Sequence, residues 1–262
     1  IDILDRHAVR KYLDNMHERY AAAVGDEFGK TIKGFFYDEP EISWDFPYTP
    51  ELDEYFLKAK GYSLAEIAPE MLAYMPAECG VTGGGDAYPT LKRMFLDYTN
   101  AWTSLLAESF YGQIEDWCHG HNLLSVGHQD LDNHVETLCT VSGDFFKNSA
   151  RNDMPGIDVI WDNIFPDRFD DFPRLAGSVK RALGKPGAMS ETFAEMGECM
   201  PPDVMRYVME HQVLRGIDQF FLWRPFPHSA NGEVPVRGLI HIGASTHPGP
   251  GLGGGSGFNA AK

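Results

Sequence analysis

The 262 residues of this chain are 43% hydrophobic, which is enough for the core of one large domain or two smaller ones. The formal net charge of −16 argues against nucleic acid and anionic membranes as partners, because both are bound through Lys and Arg. A membrane-spanning helix is not expected either, since no apolar run in the sequence reaches the roughly 18 residues that one requires.

The first twenty residues predict a helix. Ile3, Val9 and Leu13 recur near helical spacing with polar residues between them. The sequence starts at Ile1, with neither an initiator Met nor a signal peptide ahead of this pattern. We therefore expect the chain to be a fragment or a processed piece of a longer protein.

The most informative segment is a short strand pattern that ends in two acids. Residues 31–37 are largely β-branched or aromatic, which predicts a parallel strand covered on both faces. Asp38 and Glu39 follow at its carboxyl end, and Pro40 ends the strand because proline has no N–H to donate. In barrels and doubly wound sheets this edge carries the chemistry, so Glu39 is a candidate acid or base.

A long insertion follows this strand. It contains two short helical patterns, at residues 50–60 and 63–75, and three glycines at 83–85 close it. An insertion at the carboxyl end of a strand usually builds a substrate site. The alternative is that it only covers the mouth of the fold.

Helical and strand patterns alternate through the rest of the chain. Helices are predicted at residues 91–118, 172–183 and 203–214, and short apolar strands at 123–128, 157–162, 188–193 and 217–223. This alternation is typical of an α/β protein with a parallel sheet. The periodicity then fades, and residues 225–262 predict an irregular tail rich in Gly and Pro.

The five predicted strands fit the last five of a (β/α)8 barrel. Counted back from the final strand, they are strands four to eight of a TIM-barrel-like fold that lacks strands one to three. The expected domains are a partial catalytic barrel over residues 1–224, with an insertion over residues 41–89, and the tail. An open five-strand barrel leaves unpaired strand edges, so we expect the isolated chain to be inactive or poorly folded.

This count places Glu39 and Glu191 at the ends of strands four and seven, across the barrel mouth from each other. Cleavage of a glycosidic bond requires two such carboxylates, one to protonate the leaving oxygen and one to act as base or nucleophile. Apolar neighbours should raise the pKa of Glu39, which suits the acid, while Glu191 should stay ionised. The same placement is known from a large clan of barrel glycosidases, which is an analogy at the level of the fold.

Other polar and aromatic residues follow the strand ends and are candidate substrate-binding residues. Carboxylates and amides bind sugar hydroxyls, and aromatic faces stack on sugar C–H groups. The candidates are Asp38, His128, Asp130, Trp161, Asp162 and Trp223. Structural alternatives stay open for three of them: His128 as a hydrogen-bonded scaffold residue, Trp161 as a core residue, and Asp38 as a group that orients Glu39 or caps the turn.

Four segments resemble, in matching order, the barrel of the α-L-rhamnosidases of glycoside hydrolase family 106. They are GKTIKGFFYDEP, LLSVGHQ, GDFFK followed by MPGIDVI, and SETFAEMG, and the resemblance extends over about residues 1–222. It implies a (β/α)8 glycosidase that hydrolyses terminal O-glycosidic bonds with inversion. By motif, Glu39 of the D-E-P segment would be the general acid, and Glu191 of the S-E-T-F segment the base that activates water. Rhamnose is implied by this resemblance alone.

The resemblance also implies a cellular and chemical context. It indicates a bacterial enzyme, secreted or periplasmic, that acts on a carbohydrate or glycoside and has several β-rich domains around the barrel. Calcium near the site is implied as a cofactor. No segment resembles an EF-hand loop, so we assign no metal ligands.

Two other functions stay open. A barrel enzyme of another class could use a metal ion held by His128, Asp130, Asp162 and Glu39, provided that these side chains converge on one ion. The chain could also be a non-catalytic sugar-binding relative or an inactive fragment. The glycosidase hypothesis differs from both because it requires Glu39 and Glu191 together.

Overall fold

Five parallel strands form one sheet in the order of the chain. The computed structural model describes residues 1–42, 46–74, 88–167, 170–194, 196 and 200–222. The strands are β1 (Gly34–Tyr37), β2 (Leu124–Gly127), β3 (Met154–Val159), β4 (Met189–Thr192) and β5 (Gln219–Leu222). Each strand pairs in parallel with the next one. Trp223 and the predicted tail lie outside the described residues.

The sheet is strongly curled. Phe36 of β1 and Phe221 of β5 stack with their ring centroids 5.7 Å apart, although their strands lie at opposite ends of the sheet. In a flat sheet, four strand spacings would separate them by about 19 Å. The fold is therefore an α/β half-barrel, which is compatible with the expected partial barrel. The numbering of its strands as four to eight stays a prediction.

Helices connect the strands, as parallel pairing requires. They are α1 (Arg6–Asn15), α2 (His17–Val24), α3 (Pro50–Lys60), α4 (Leu64–Tyr74), α5 (Tyr88–Leu106), α6 (Gln113–Gly120), α7 (Val135–Val141), α8 (Phe145–Ser149), α9 (Arg174–Leu183) and α10 (Pro202–Val213). A π-helical segment, Ala107–Gly112, joins α5 to α6. Within the described part of the chain, no helix has both the length and the apolar composition for crossing a membrane.

Local sequence signals explain several helix ends. The Asp5 side chain accepts hydrogen bonds from the backbone N–H groups of His7 and Ala8 and so caps α1. Pro50 occupies the first turn of α3, where its missing N–H costs nothing. Gly61 ends the same helix in the left-handed region, with φ of 81°.

The first predicted helix is divided in two, and two short helices were not predicted. The chain turns at Met16, where φ is −112°, so that residues 1–20 contain α1 and the start of α2. The short helices α7 and α8 follow β2. Their five to seven residues give too few helical repeats for a periodicity to be read.

The predicted bounds of β3 are wrong. We expected a strand at residues 157–162, but β3 begins at Met154 and ends at Val159. The reason is that Pro155 and Gly156 look like a turn in sequence, whereas here they continue the strand. Trp161 and Asp162 consequently lie in the turn beyond it, and both have positive φ, 49° and 56°.

Burial on both faces was predicted for the strand at residues 31–37, but it is found in the inner strands and not in the outer ones. In β3 every residue after Met154 is buried, while β1 is buried only at Tyr37 and β5 at none of its four residues. The strand at residues 31–37 is also shorter than predicted, since pairing with β2 starts at Gly34. An outer strand has one lateral neighbour, so its faces are covered less completely.

Two hydrophobic clusters flank the sheet. One joins α3, α5 and α6 to β1, with Phe56, Trp102 and Ile114 each at most 2% exposed. The other joins α9 and α10 to β3 and β4, and includes Val179 and Val208. Together they fix the strands so that all five carboxyl ends meet at one edge.

Strands β2 and β3 approach each other through glycines. A Cβ atom on Gly156 would overlap the Gly127 carbonyl oxygen and the Met189 Sδ atom. Because part of this obstacle is backbone, a side chain cannot be accommodated by a rotamer change.

We expect Gly156→Ala to lower the free energy of unfolding by about 2 kcal/mol, the usual cost of overpacking a core. Gly25→Ala is the matched control: no atom lies within 4 Å of its Cβ position, and its φ of −58° suits alanine. The control should be as stable as the wild type or slightly more so. Urea unfolding followed by circular dichroism measures both, and equal midpoints for the two variants would contradict the close approach.

Candidate active site

The sheet register aligns an acid pair on the concave face. Asp158 of β3 pairs with Glu191 of β4, and Glu191 pairs with Phe221 of β5. Register partners in adjacent strands point to the same face. Since Phe221 meets Phe36 inside the curl, Asp158 and Glu191 also point into the half-barrel.

His128 brings acids from different strands together. It follows β2 and is fully buried, and its Nε2 atom lies 3.1 Å from Glu191 Oε2 and 3.4 Å from Asp38 Oδ1. A ring nitrogen of His128 is also within 4.8 Å of carboxylate oxygens of Glu39 and Asp158. We refer to these five side chains as the His128 cluster.

Glu39 enters the cluster through an unusual backbone conformation. It follows β1 directly and has a φ of 39°, in the left-handed region that non-glycine residues rarely adopt. Its carboxylate is only partly exposed, and one of its oxygens lies within 4.8 Å of Asp158 as well as of His128. The two predicted catalytic glutamates therefore approach the same imidazole ring.

Burial and charge shift the pKa values of this cluster. Burial raises the pKa of Glu39 to about 7, against the effect of the His128 cation, and nearby Asp130, Asp38 and Glu191 raise it further. Burial likewise raises the pKa of Asp158 to about 9.

The histidine is shifted in favour of its charged form. Burial alone would lower the pKa of His128, but the hydrogen bond to Glu191 and the charges of Asp158, Asp132 and Glu191 raise it to about 9. At neutral pH His128 is then an imidazolium beside Glu191, and Glu39 is close to half protonated.

The remaining predicted substrate-binding residues lie around the cluster or outside the described part. Asp130 follows His128 by two residues and is half-buried, and its charge acts on Glu39. Trp161 is 68% exposed, so it is a rim residue and not part of the core. Asp162 is also exposed at this rim. Trp223 lies outside the described residues.

Two acids of the site were missed by sequence analysis. Asp132 is 2% exposed and Asp158 is 7% exposed, and Asp132 Oδ2 accepts a hydrogen bond of 2.8 Å from the Asp158 backbone N–H. Asp158 had a detectable signal, because an acid between Ile157 and Val159 interrupts an apolar strand. Asp132 had none, since it lies in a polar loop like many others.

Comparison with protein families identifies the chain. The family model of glycoside hydrolase family 106, described as alpha-L-rhamnosidase, matches residues 1–246. The chain belongs to this family. The resemblance of its four segments is thus confirmed over nearly the whole sequence.

A solved structure supports the fold of this family member. The rhamnosidase from Novosphingobium sp. PP1Y matches with a TM-score of 0.63 and 22% sequence identity, over 85% of this chain. At this identity the match shows a common fold alone. It covers 20% of the other chain, so our chain spans about a fifth of that rhamnosidase. No curated protein matches the sequence.

The described residues do not fit the calcium ion that the family implies. Calcium takes six to eight oxygen ligands, whereas both acid groupings compact enough for an ion contain a nitrogen of His128. Neither grouping includes Asp130 or Asp162, which the metal-enzyme alternative requires. We therefore assign no ligand and no chemical step to a metal.

Glu39 makes the stability of the fold depend on pH. Its pKa rises from 4.5 to about 7 on folding, so its contribution is present below about pH 4.5 and is lost as the pH increases through 7. We expect Glu39→Gln to remove this loss. At pH 8 the free energy of unfolding of the variant should exceed that of the wild type by about 1 kcal/mol, after discounting for solvent screening. At pH 4.5 the difference in the free energy of unfolding should be smaller. Urea unfolding at both pH values measures this. The burial effect would be contradicted if the variant and the wild type differed in free energy of unfolding by the same amount at both pH values. It would also be contradicted if the exposed control Glu66→Gln showed the same pH-dependent difference.

Proposed function

We propose that the chain carries the catalytic half-barrel of an inverting glycoside hydrolase of the α-L-rhamnosidase type. Glu39 is the general acid, and Glu191 is the base that activates water. The observation that carries this proposal is the approach of both glutamates to one buried imidazole at the carboxyl edge of the sheet. Family membership indicates the same class of reaction.

The surroundings of Glu39 suit a general acid. A carboxyl group with a pKa near 7 is protonated in part of the molecules at neutral pH, and it can deliver its proton to the glycosidic oxygen. Partial burial by the protein is the largest cause of this shift.

The surroundings of Glu191 suit the base. His128 Nε2 donates a hydrogen bond of 3.1 Å to Glu191 Oε2, which fixes that oxygen. The Glu191 side chain is 13% exposed, so one side of it stays open. A water molecule between Glu191 and the anomeric carbon would lose its proton to this carboxylate as it attacks. The sugar oxygen would leave with the proton of Glu39, so the two carboxyl groups exchange protonation states in each turnover.

The rim residues provide a binding surface for the carbohydrate. Trp161 presents an exposed indole on which a sugar ring can stack. Asp38, Asp130 and Asp162 supply hydrogen-bond acceptors for hydroxyl groups around the same mouth. We propose these residues, together with Trp223, as substrate-binding residues, and rhamnose as the sugar by family membership.

Removing either carboxylate should abolish most of the activity. We expect Glu39→Gln and Glu191→Gln, made in the protein that contains this chain, each to reduce kcat on an aryl rhamnoside by roughly 10²–10⁴-fold, the usual contribution of an acid or base. The exposed Glu66→Gln should retain full activity. Unchanged hydrolysis in both active-site variants, or equal loss in the control, would refute the assignment.

The stereochemistry of the product is a second test. An inverting pair leaves room for a water molecule, so the sugar should first appear as the anomer opposite to that of the substrate. Proton NMR of the earliest product, recorded before mutarotation, distinguishes the two anomers. First release of the anomer present in the substrate would show a covalent mechanism and would remove the base role from Glu191.

A further inference from the structure

We propose that His128, Asp158 and Asp132 form a buried positioning network behind the two glutamates. In this network His128 acts as an imidazolium that holds Glu191 in place, and the two aspartates lie buried beside the ring. The inference rests on the proposed function, and it adds residues whose action passes through Glu191 and not through contact with the substrate.

Burial separates these residues from the substrate. His128 is fully inaccessible, and Asp132 and Asp158 are 2% and 7% exposed, whereas Glu39 is only half-buried. His128, expected as a substrate-binding residue, is therefore better described as a support for Glu191. Its Nε2 atom makes the 3.1 Å hydrogen bond that fixes one carboxylate oxygen of that side chain.

The order of contacts defines the network. Asp132 Oδ2 accepts a 2.8 Å hydrogen bond from the backbone N–H of Asp158, which joins the loop after β2 to β3. Asp158 is the register neighbour of Glu191, and a carboxylate oxygen of Asp158 lies within 4.8 Å of a His128 nitrogen. The network thus joins the segment after β2 to strands β3 and β4.

Two atoms show how Asp158 and His128 are related. His128 Nδ1 and Asp158 Oδ1 are both buried, and neither has a hydrogen-bond partner among the described residues. Asp158 therefore acts on the ring by its position within 4.8 Å and not through a hydrogen bond between these two atoms.

The groups that face His128 are predominantly acidic. The ring of Phe36 in β1 lies beside His128, as do Asp38 and Glu39, which follow β1. The loop after β2 contributes Asp132, β3 contributes Asp158, and β4 contributes Glu191. Burial raises the pKa values of Asp38, Glu39, Asp132 and Asp158, and the charge of His128 opposes this rise in all four. Removing this cation should therefore affect Glu39 as well as Glu191.

Histidine titration tests the network without reference to activity. We would label the protein with ¹⁵N-histidine, identify the His128 signal by its absence in His128→Gln, and follow it from pH 5 to 10. His128 should be protonated at pH 7.5, and in Asp158→Asn its midpoint should fall by about 1 pH unit. A neutral His128 in the wild type, or an unchanged midpoint in Asp158→Asn, would overturn the proposal.

Kinetics test the positioning role itself. We expect His128→Gln to lower kcat by about 10²-fold with little change in KM, because Glu191 loses its orientation. The alkaline limb of the kcat–pH profile should move to higher pH, since the pKa of Glu39 rises without the cation. If His128→Gln only reduced the amount of folded protein, kcat would fall but the alkaline limb of the profile would stay at the wild-type pH.

His119→Gln is the matched control. His119 also pairs with an acid, Asp153, at 3.0 Å, but it is half-exposed and belongs to α6. It should leave kcat and the pH profile unchanged. If Glu39→Gln and Glu191→Gln stay active, the proposed function fails and the titration still decides the network. If they are inactive but His128→Gln has the wild-type rate and profile, only the network is refuted.

Discussion

One buried imidazole connects the acids on which this site depends. Carboxylates from the ends of β1 and β4, and from within β3, lie around His128 at distances where like charges repel strongly. They converge because the sheet curls and its register places Asp158 beside Glu191. The single positive charge offsets part of this repulsion. The curl of the sheet thus brings the acids together, and the ring lies between them.

This arrangement places two chemically identical side chains in different environments. Glu191 accepts a hydrogen bond from the cation, while Glu39 lies against acids and is partly removed from water, so its pKa is raised. The left-handed backbone at Glu39 turns its carboxylate away from the direction that the strand alone would give. The proposed difference between an acid and a base thus rests on the position of each glutamate and not on its residue type.

Much of the fold and the glutamate pair could be predicted from the sequence. The alternation of patterns gave five parallel strands, and Glu39 and Glu191 were found because each lies at or next to a strand end. Asp132 and Asp158 were missed, because no local pattern shows that an isolated acid will be buried. The bounds of β3 were wrong because Pro155 and Gly156 usually mark a turn. Register and curl arise from pairing between distant segments, and local periodicity does not contain them.

The turn after β3 has a consequence for how this protein can change. Trp161 and Asp162 are consecutive residues with positive φ, a conformation that costs about 1–2 kcal/mol at a residue other than glycine. The indole of Trp161 is largely exposed and returns little of that energy through packing. Glycine at position 161 would relieve the strain and remove the stacking surface. Evolution for thermal stability and evolution for sugar turnover would therefore select different residues at this position.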